Sequence, residues 1–456
     1  MVNQYVKSVQ KANLKSIFSY YQKRNILFNG GFKNKCIENI QETLQNALKN
    51  CDSKLDIKIK NKLNHQGFDT VVLGDIHGEL GLFVQNLYLA GVIDKNGNYN
   101  KNTKKNVIQL GDAIDREGNH PFETLIYLRM LQKQAKTYKR DFILLFGNHE
   151  KFNLTVKDWW NENNFIDKNK NKIITRPIIQ KILVDDIKNK RVQLSFASQS
   201  LKLFCFHGRM SKKTLLKVIS KMYENETFKK RMNKTNDSKY FFQRLTDYIN
   251  GNSPNERIKL MDVYKNIEDC GIKTTDISDW MNQFLANNVN DKDVLATSFL
   301  TAENDGIYSR NKKNSEQPIV PDEDTKKQSA KYLIKPVQIG GHTPTTSLDE
   351  SRRANGFGFG IVQDKTSIFA DADLVNGFQA FVGIDSKSGS VYAIELRDGK
   401  DMLQDRYKEN SQPINPLNKK IESLKARKLE GLNVLKNCTS NIKNKRSLNT
   451  KNDITL

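Results

Sequence analysis

Long apolar stretches are missing from this sequence. No uncharged run in its 456 residues approaches the roughly 18–20 that cross a bilayer, and the first residues hold no unbroken apolar region of the kind a cleavable signal needs. A soluble, cytoplasmic chain is expected, with delivery into a host cell by a route needing no cleavable signal as the alternative. Cysteine is scarce too: Cys36, Cys51, Cys205, Cys270 and Cys438 are odd in number, far apart and never spaced as Cys-x-x-Cys. That excludes a disulfide framework or a zinc knuckle and points to a reducing compartment. Acidic residues are in deficit, 51 Asp and Glu against 74 Lys and Arg, for a net charge of +23. Such a balance attracts nucleic acid, anionic membrane or acidic substrates. The lysines, however, are scattered among asparagines in pieces such as 101–106 and 168–172, the pattern of solvated faces. The basic run Lys443-Asn444-Lys445-Arg446 has no aromatic residues to stack on bases, which weighs against a nucleic-acid partner. No segment repeats, and no oligomeric state is read from the chain.

What is present is a recurring local pattern. Residues 68–73 are a short, β-branched apolar run ending in Gly74-Asp75-Ile76-His77-Gly78, followed by an amphipathic segment over 79–92. A second apolar run, 106–110, ends in Gly111-Asp112-Ala113-Ile114-Asp115-Arg116, with a helix expected over 121–136. A third, 142–146, ends in Gly147-Asn148-His149-Glu150. Apolar strands alternating with helices predict parallel pairing with right-handed crossovers, and ligand groups in such sheets gather at the carboxyl ends of the strands. The three Gly-polar loops should therefore meet. Further strands are expected over 192–197, over 201–206 leading into His207-Gly208-Arg209-Met210, and over 337–339 leading into Gly340-Gly341-His342-Thr343-Pro344. Segments 366–370, 378–384 and 390–396 read as antiparallel strands, with 385–389 as the last hairpin turn.

Helices are expected elsewhere. In 1–65, Ile37, Ile40, Leu44, Ala47 and Leu48 fall at helical spacing; 151–188 and 211–300 read as mostly helical, with Trp159 and Trp160 packing on a sheet edge. Residues 310–329 form a loop around Pro318 and Pro321, and a basic tail follows 399 with a helix over 417–435. The expected organisation is a helical N-terminal extension (1–65), a catalytic domain (66–397) with a mostly helical insertion (211–300), and a basic, partly disordered tail (398–456).

Only six histidines exist, and four of them, His77, His149, His207 and His342, stand just past an apolar strand within three residues of a glycine. Asp75, Asp112 and Asn148 are placed alike. Carboxylate with imidazole is a hard-to-borderline donor set suited to Mn, Fe or Zn. His65 and His120 are left unassigned, and His120, near the 111–116 loop, reads as a surface histidine.

The five motifs, G-D-I-H-G, G-D-A-I-D-R, G-N-H-E, F-C-F-H-G and G-G-H-T-P, lie in this order within roughly residues 69–397. They resemble those of the calcineurin-like metallophosphoesterases, and within these the phosphoprotein phosphatase family, in its bacterial branch. The resemblance implies an α/β fold, a four-layer α/β/β/α sandwich, and two divalent metal ions, Mn foremost with Fe, Zn or Mg as alternatives. It implies that Asp75 and His77 hold one metal, that Asp112 bridges both, and that Asn148, His207 and His342 complete the second set. It further implies that His149 protonates the departing oxygen, that Asp115 orients His149, and that Arg116 and Arg310 clamp the phosphate, with Asn148 also facing substrate. Arg209 is a rival to Arg310. Three positions depart from the family pattern: Glu117 and Arg209 where glycines are usual, and Asp371-Ala372-Asp373 where Asp-Thr-Gly is common.

The chemistry asks for such an arrangement, because a phosphomonoester dianion repels hydroxide. Two cations roughly 3.5–4 Å apart would neutralise it and create hydroxide in line with phosphorus. The expected activity is hydrolysis of phosphoserine or phosphothreonine, and of phosphotyrosine as an extension, in a phosphoprotein substrate. Hydrolysis of diadenosine tetraphosphate or another small phosphoester is the alternative. A non-catalytic module binding nucleic acid or lipid is the alternative of another class; no motif position is missing, which weighs against it.

Overall fold

A computed structural model describes residues 2–24, 26, 30–54, 68–114, 120–156, 176–201, 203–208, 210, 212–226, 228–229, 272–298, 331–332, 338–344, 360–361, 367–372, 374, 379–387 and 390–397. Residues 1–399 make one compact unit, and 400–456, with the expected tail helix, lie outside the described residues. So do Trp159, Trp160 and the loop over 310–329.

The elements run α1 (Val2–Lys23), α2 (Gly30–Lys54), β1 (Thr70–Leu73), α3 (Leu80–Leu89), β2 (Asn106–Gln109), α4 (Pro121–Thr137), β3 (Phe142–Leu144), α5 (Asn148–Thr155), α6 (Arg176–Lys188), β4 (Ser195–Ser198), β5 (Leu203–Phe206), α7 (Lys212–Tyr223), α8 (Thr274–Asn288), α9 (Lys292–Thr297), β6 (Lys331–Tyr332), β7 (Gln338–Pro344), β8 (Gly360–Ile361), β9 (Ser367–Asp371), β10 (Gln379–Asp385) and β11 (Ser390–Arg397). They build two sheets. The first has the order β3-β2-β1-β10-β11-β6 and the second β4-β5-β7-β9-β8.

The three apolar runs of the motif region are β1, β2 and β3, parallel and in register: Val71 pairs Val107, and Val107 pairs Phe142. Strands buried on both faces read as continuous apolar runs rather than alternating ones, which is why this stretch was legible. Val72, Ile108 and Val382 of the first sheet pack with Leu203, Cys205 and Ile339 of the second in one apolar cluster. Helices cover the outside. Helix α3 is apolar almost all round and lies between α2 and β10. Helix α4 starts on Pro121, where proline's preset φ suits a first turn, and packs on β3. Helix α8 covers the other sheet: Asn282 Oδ1 accepts from Leu194 N (2.8 Å) and Ser195 N (3.1 Å), tying the helix to edge strand β4. The layers are α/β/β/α, a mixed α/β sandwich.

One strand differs from expectation. Segments 378–384 and 390–396 do form the antiparallel hairpin β10–β11, but β9 joins the other sheet, parallel to β7 and antiparallel to β8. Alternation along a strand marks the strand and not its neighbour.

Helices α1 and α2 pack on α4 and α3. A charged seam also ties α1 to α6. Tyr21 Oη donates to Asp186 Oδ1 (2.9 Å), Arg129 Nε to Asp186 Oδ2 (2.6 Å) and Arg191 Nε to Asp186 Oδ1 (2.8 Å). Neighbouring Asp185 accepts from Tyr20 (3.0 Å), Arg191 and Arg24 (2.6 Å). Asp186 is fully buried and Arg129 nearly so, so each charge depends on its partners. Among the described residues no helix is long and apolar enough to cross a membrane.

Candidate metal centre

The strand ends deliver the functional side chains. Asp75 and His77 follow β1, Asp112 follows β2, Asn148 and His149 open α5 just past β3, His207 follows β5, and His342 sits within β7 where its register with β9 shifts. Backbone hydrogen bonds sew these loops together. Ile76 N and His77 N both donate to Asp112 O (3.0 and 2.9 Å), and Gly341 N donates to His207 O (2.6 Å). The carboxylates fix the remaining pieces, His342 N on Asp75 Oδ1 (3.1 Å) and His149 N on Asp112 Oδ1 (2.8 Å).

Two glycines allow this crowding. A Cβ on Gly147 would stand 2.1 Å from Asp112 Oδ1, and one on Gly341 would stand 2.6 Å from Asp75 Oδ1. Only a residue without a side chain lets the backbone approach so closely. His77, Asp112 and His342 themselves take left-handed backbone angles, with φ of +50°, +52° and +65°. Such angles cost non-glycine residues on the order of 1–2 kcal/mol each, and strain of this kind concentrates at functional sites.

All six expected metal ligands and His149 converge, and all are buried. His207 Nε2 lies 3.3 Å from Asp112 Oδ2 and 2.8 Å from Asn148 Oδ1; His77 Nε2 lies 3.7 Å from Asp75 Oδ2 and 4.0 Å from Asp112 Oδ2. His149 Nε2 is 3.8 Å from Asp112 Oδ2. Donor atoms of His77, Asp112 and His149 fall within 4.8 Å of one another, and so do those of Asp112, His207 and His342. Asp112 belongs to both groups. His149, expected as a proton donor, thus stands at ligand distance as well.

The electrostatics fit cations. Burial pushes the Asp75 carboxyl up to about 6, against the pull of His207. Burial acts on Asp112 in the same sense, but His207, His149 and His77 together hold it well below the usual carboxylate range. Burial would lower His207, yet the Asp112 and Asp75 charges push it up to about 10. Both its ring nitrogens face oxygens, Nδ1 2.8 Å from Leu110 O and Nε2 2.8 Å from Asn148 Oδ1. Buried carboxylates and imidazoles gathered at one point are a donor set for Mn, Fe or Zn, and a divalent ion here would supply positive charge to Asp75 and Asp112.

One residue of the site carried no assignment from sequence. Glu150 is buried, and its two oxygens accept from the amides of Gly147 (2.8 Å), Asp112 (2.9 Å) and Ala113 (3.0 Å). It is the brace under the Asp112 loop. A glutamate three residues past a helix-opening position is a capping signal that could have found it. Burial and the Asp112 charge push Glu150 up to about 7, and the amides of Gly147 and Asp112 pull the other way. Asp115, Arg116 and Arg310, with Glu117, Arg209 and Asp373, lie outside the described residues. Asp371 is buried at the end of β9, and His120 is half-buried at the start of α4 with its amide on Gly78 O (3.1 Å).

The sequence profile of the calcineurin-like phosphoesterases matches residues 68–345. Over 84 residues, 18% of this chain, the sequence is 31% identical to Shewanella-like protein phosphatase 2 of Arabidopsis thaliana; the chain spans 21% of the length of that relative. Among solved structures, a point mutant of a cold-active protein tyrosine phosphatase overlaps 75% of this chain and 86% of its own at a TM-score of 0.40 and 17% identity. The cold-active protein tyrosine phosphatase of a psychrophile Shewanella species overlaps 75% and 86% at a TM-score of 0.34 and 17% identity. The profile match runs from the approach to β1 as far as the His342 loop and so takes in every member of the buried cluster: this chain belongs to the calcineurin-like phosphoesterase family.

Proposed function

We propose that this chain is a metal-dependent phosphoprotein phosphatase hydrolysing phosphoserine and phosphothreonine monoesters, with phosphotyrosine as an extension. The observation that carries the reading is Asp112, one buried carboxylate that belongs both to a donor group with His77 and to a donor group with His207 and His342. In this reading Asp75, His77, Asp112, Asn148, His207 and His342 hold two divalent ions, Mn foremost. Bound there, such ions neutralise phosphoryl oxygens and lower the pKa of water.

The chain's own residues do the rest. His207 Nδ1 is held on Leu110 O, which keeps its Nε2 turned to Asp112 and Asn148. His149 supplies a proton to the leaving oxygen. Its carbonyl accepts from Asn153 Nδ2 (3.0 Å) and its amide donates to Asp112 Oδ1 (2.8 Å), so the imidazole is presented from a helix start hydrogen-bonded on both sides of the residue. Asp115 orients His149 and favours its charged form. Arg116 and Arg310 clamp phosphate oxygens with planar forks, as the sequence motifs imply. Within the chain we read 66–397 as the catalytic unit, with 211–300 as its insertion and 1–65 and 398–456 as flanking segments.

The test compares phosphoserine, phosphothreonine and phosphotyrosine peptides with diadenosine tetraphosphate, with Mn added or chelated, in wild type and His149→Ala. Mn-dependent turnover of phosphopeptides, at least about a hundredfold lower in the variant, is expected. Turnover indifferent to chelation, or confined to diadenosine tetraphosphate, would overturn the proposal.

A further inference from the structure

A second concavity lies apart from the metal centre. It is a groove of ≈ 630 Å3 lined from the turn after α1, the C-terminal part of α5, one face of α6, and the α8–α9 junction. Its floor is aliphatic: Ile26, Leu154 and Val289 are buried and Val184 half-buried. Its rim is cationic, with Arg24, Lys181, Lys188 and Lys292. Among the described residues of the lining Asp185 is the one carboxylate, and it is already engaged by Arg24 (2.6 Å), Tyr20 (3.0 Å) and Arg191. Its described lining residues thus comprise four cations and one carboxylate above an apolar floor.

A short cavity lined this way fits a ligand that carries both carboxylates and aliphatic side chains. A nucleic acid would bring the charge but finds no aromatic platform, since no Phe, Tyr, Trp or His lines the groove among the described residues. Position matters too. Leu154 and the Asn148–His149 pair sit at opposite ends of α5, six residues or roughly 9 Å apart along the axis. Gln180 on the groove wall donates to Asn153 O (2.5 Å), and Asn153 Nδ2 donates to His149 O (3.0 Å). Groove and centre thus share one short helix.

We propose that this groove docks an acidic, aliphatic-bearing peptide segment of the substrate protein, separate from the residue that is dephosphorylated. The identity of the carrier rests on the phosphoprotein reading above; the docking itself does not require catalysis.

The test uses the full chain and a fluorescent, unphosphorylated peptide alternating Asp or Glu with Leu or Val, followed by anisotropy at physiological salt. A Lys181→Glu/Lys188→Glu/Lys292→Glu variant is set beside a Lys101→Glu/Lys104→Glu/Lys139→Glu variant. Both change the net charge equally, but the second lies outside the groove. Saturable binding is expected in wild type and in the second variant, with at least a tenfold loss in the first. A milder Lys188→Ala/Lys292→Ala variant should lose part of the affinity, which guards against misfolding of the triple. All should hydrolyse a small chromogenic phosphoester alike, while the groove variant shows a raised KM for phosphoserine joined to the acidic segment. No saturable binding, equal weakening by both triple variants, or tighter and equally groove-dependent binding of an RNA oligonucleotide would overturn the proposal. Groove-dependent binding with no hydrolysis of any ester would keep the docking site and overturn the substrate as its carrier.

Discussion

Glu150→Gln is the substitution that most sharply separates bracing from chemistry, because Glu150 is assigned no contact with a reacting group. In the wild type Oε2 accepts from Asp112 N and Gly147 N, and Oε1 accepts from Ala113 N. A glutamine can keep its one carbonyl oxygen on the first pair. Its NH2 then faces the Ala113 amide, donor against donor, and the two retained bonds lose their charge assistance. Losing one charged hydrogen bond and leaving a buried amide unsatisfied amounts to about 3 kcal/mol. At about 1.2 °C per kcal/mol for a unit of 399 residues, the Tm should fall by about 3–4 °C. The more telling effect is on Asp112, whose left-handed backbone is held from one side by Glu150 and from the other by the Ile76 and His77 amides. Loosening the support of a shared ligand should weaken Mn binding about 10–100-fold. Calorimetric Mn titration beside a thermal melt reads both quantities. A lowered Tm with unchanged Mn affinity would refute the bracing role, and no change in either would refute the reading of the loop altogether.

Three further perturbations follow from the same geometry. Asp186→Ala strips Arg129 and Arg191 of their shared carboxylate and should cost about 3–5 kcal/mol, whereas the apolar pair Arg129→Met/Asp186→Leu should recover most of it; chemical denaturation of the two variants checks the contrast. Gly341→Ala puts a methyl 2.6 Å from Asp75 Oδ1, so Asp75 must shift, and kcat/KM for a small phosphoester should drop about a hundredfold. Because His207 is pushed up to about 10 and must shed a proton to bind a cation, apparent Mn affinity should rise with pH, about tenfold per unit between pH 6 and 8. Titrations in buffers of different ionisation enthalpy would count the proton, and a pH-independent affinity would contradict the assignment of His207.

Much of the catalytic half of the fold was legible because its information is local. Each of 68–73, 106–110 and 142–146 holds a parallel strand with adjacent apolar residues (Val71-Val72-Leu73, Val107-Ile108, Phe142-Ile143-Leu144), and each leads into glycine followed by a polar donor. The Tyr21–Asp186 contact shows the opposite case. Its partners are 165 residues apart, and in sequence Asp185-Asp186 reads as any solvated helix face. Nothing local distinguishes a carboxylate that will be buried by two arginines from one that will face water. The pairing of β9 with β7 escaped for a related reason: strand propensity lies along the chain, while neighbours are chosen by packing between the two sheets. Glu150 was visible as a motif letter, but its role is legible only once Gly147, Asp112 and Ala113 are seen to share it.

In the proposed mechanism Asp112 is the carboxylate common to two cation positions. The most direct measurement is the number of Mn ions retained per chain after loading and desalting, by elemental analysis, in wild type and in Asp112→Asn. Two ions in the wild type, at most one in the variant, and phosphoester hydrolysis that disappears with them are the predicted results. Equal Mn content in both proteins, or hydrolysis that survives complete removal of metal, would contradict it.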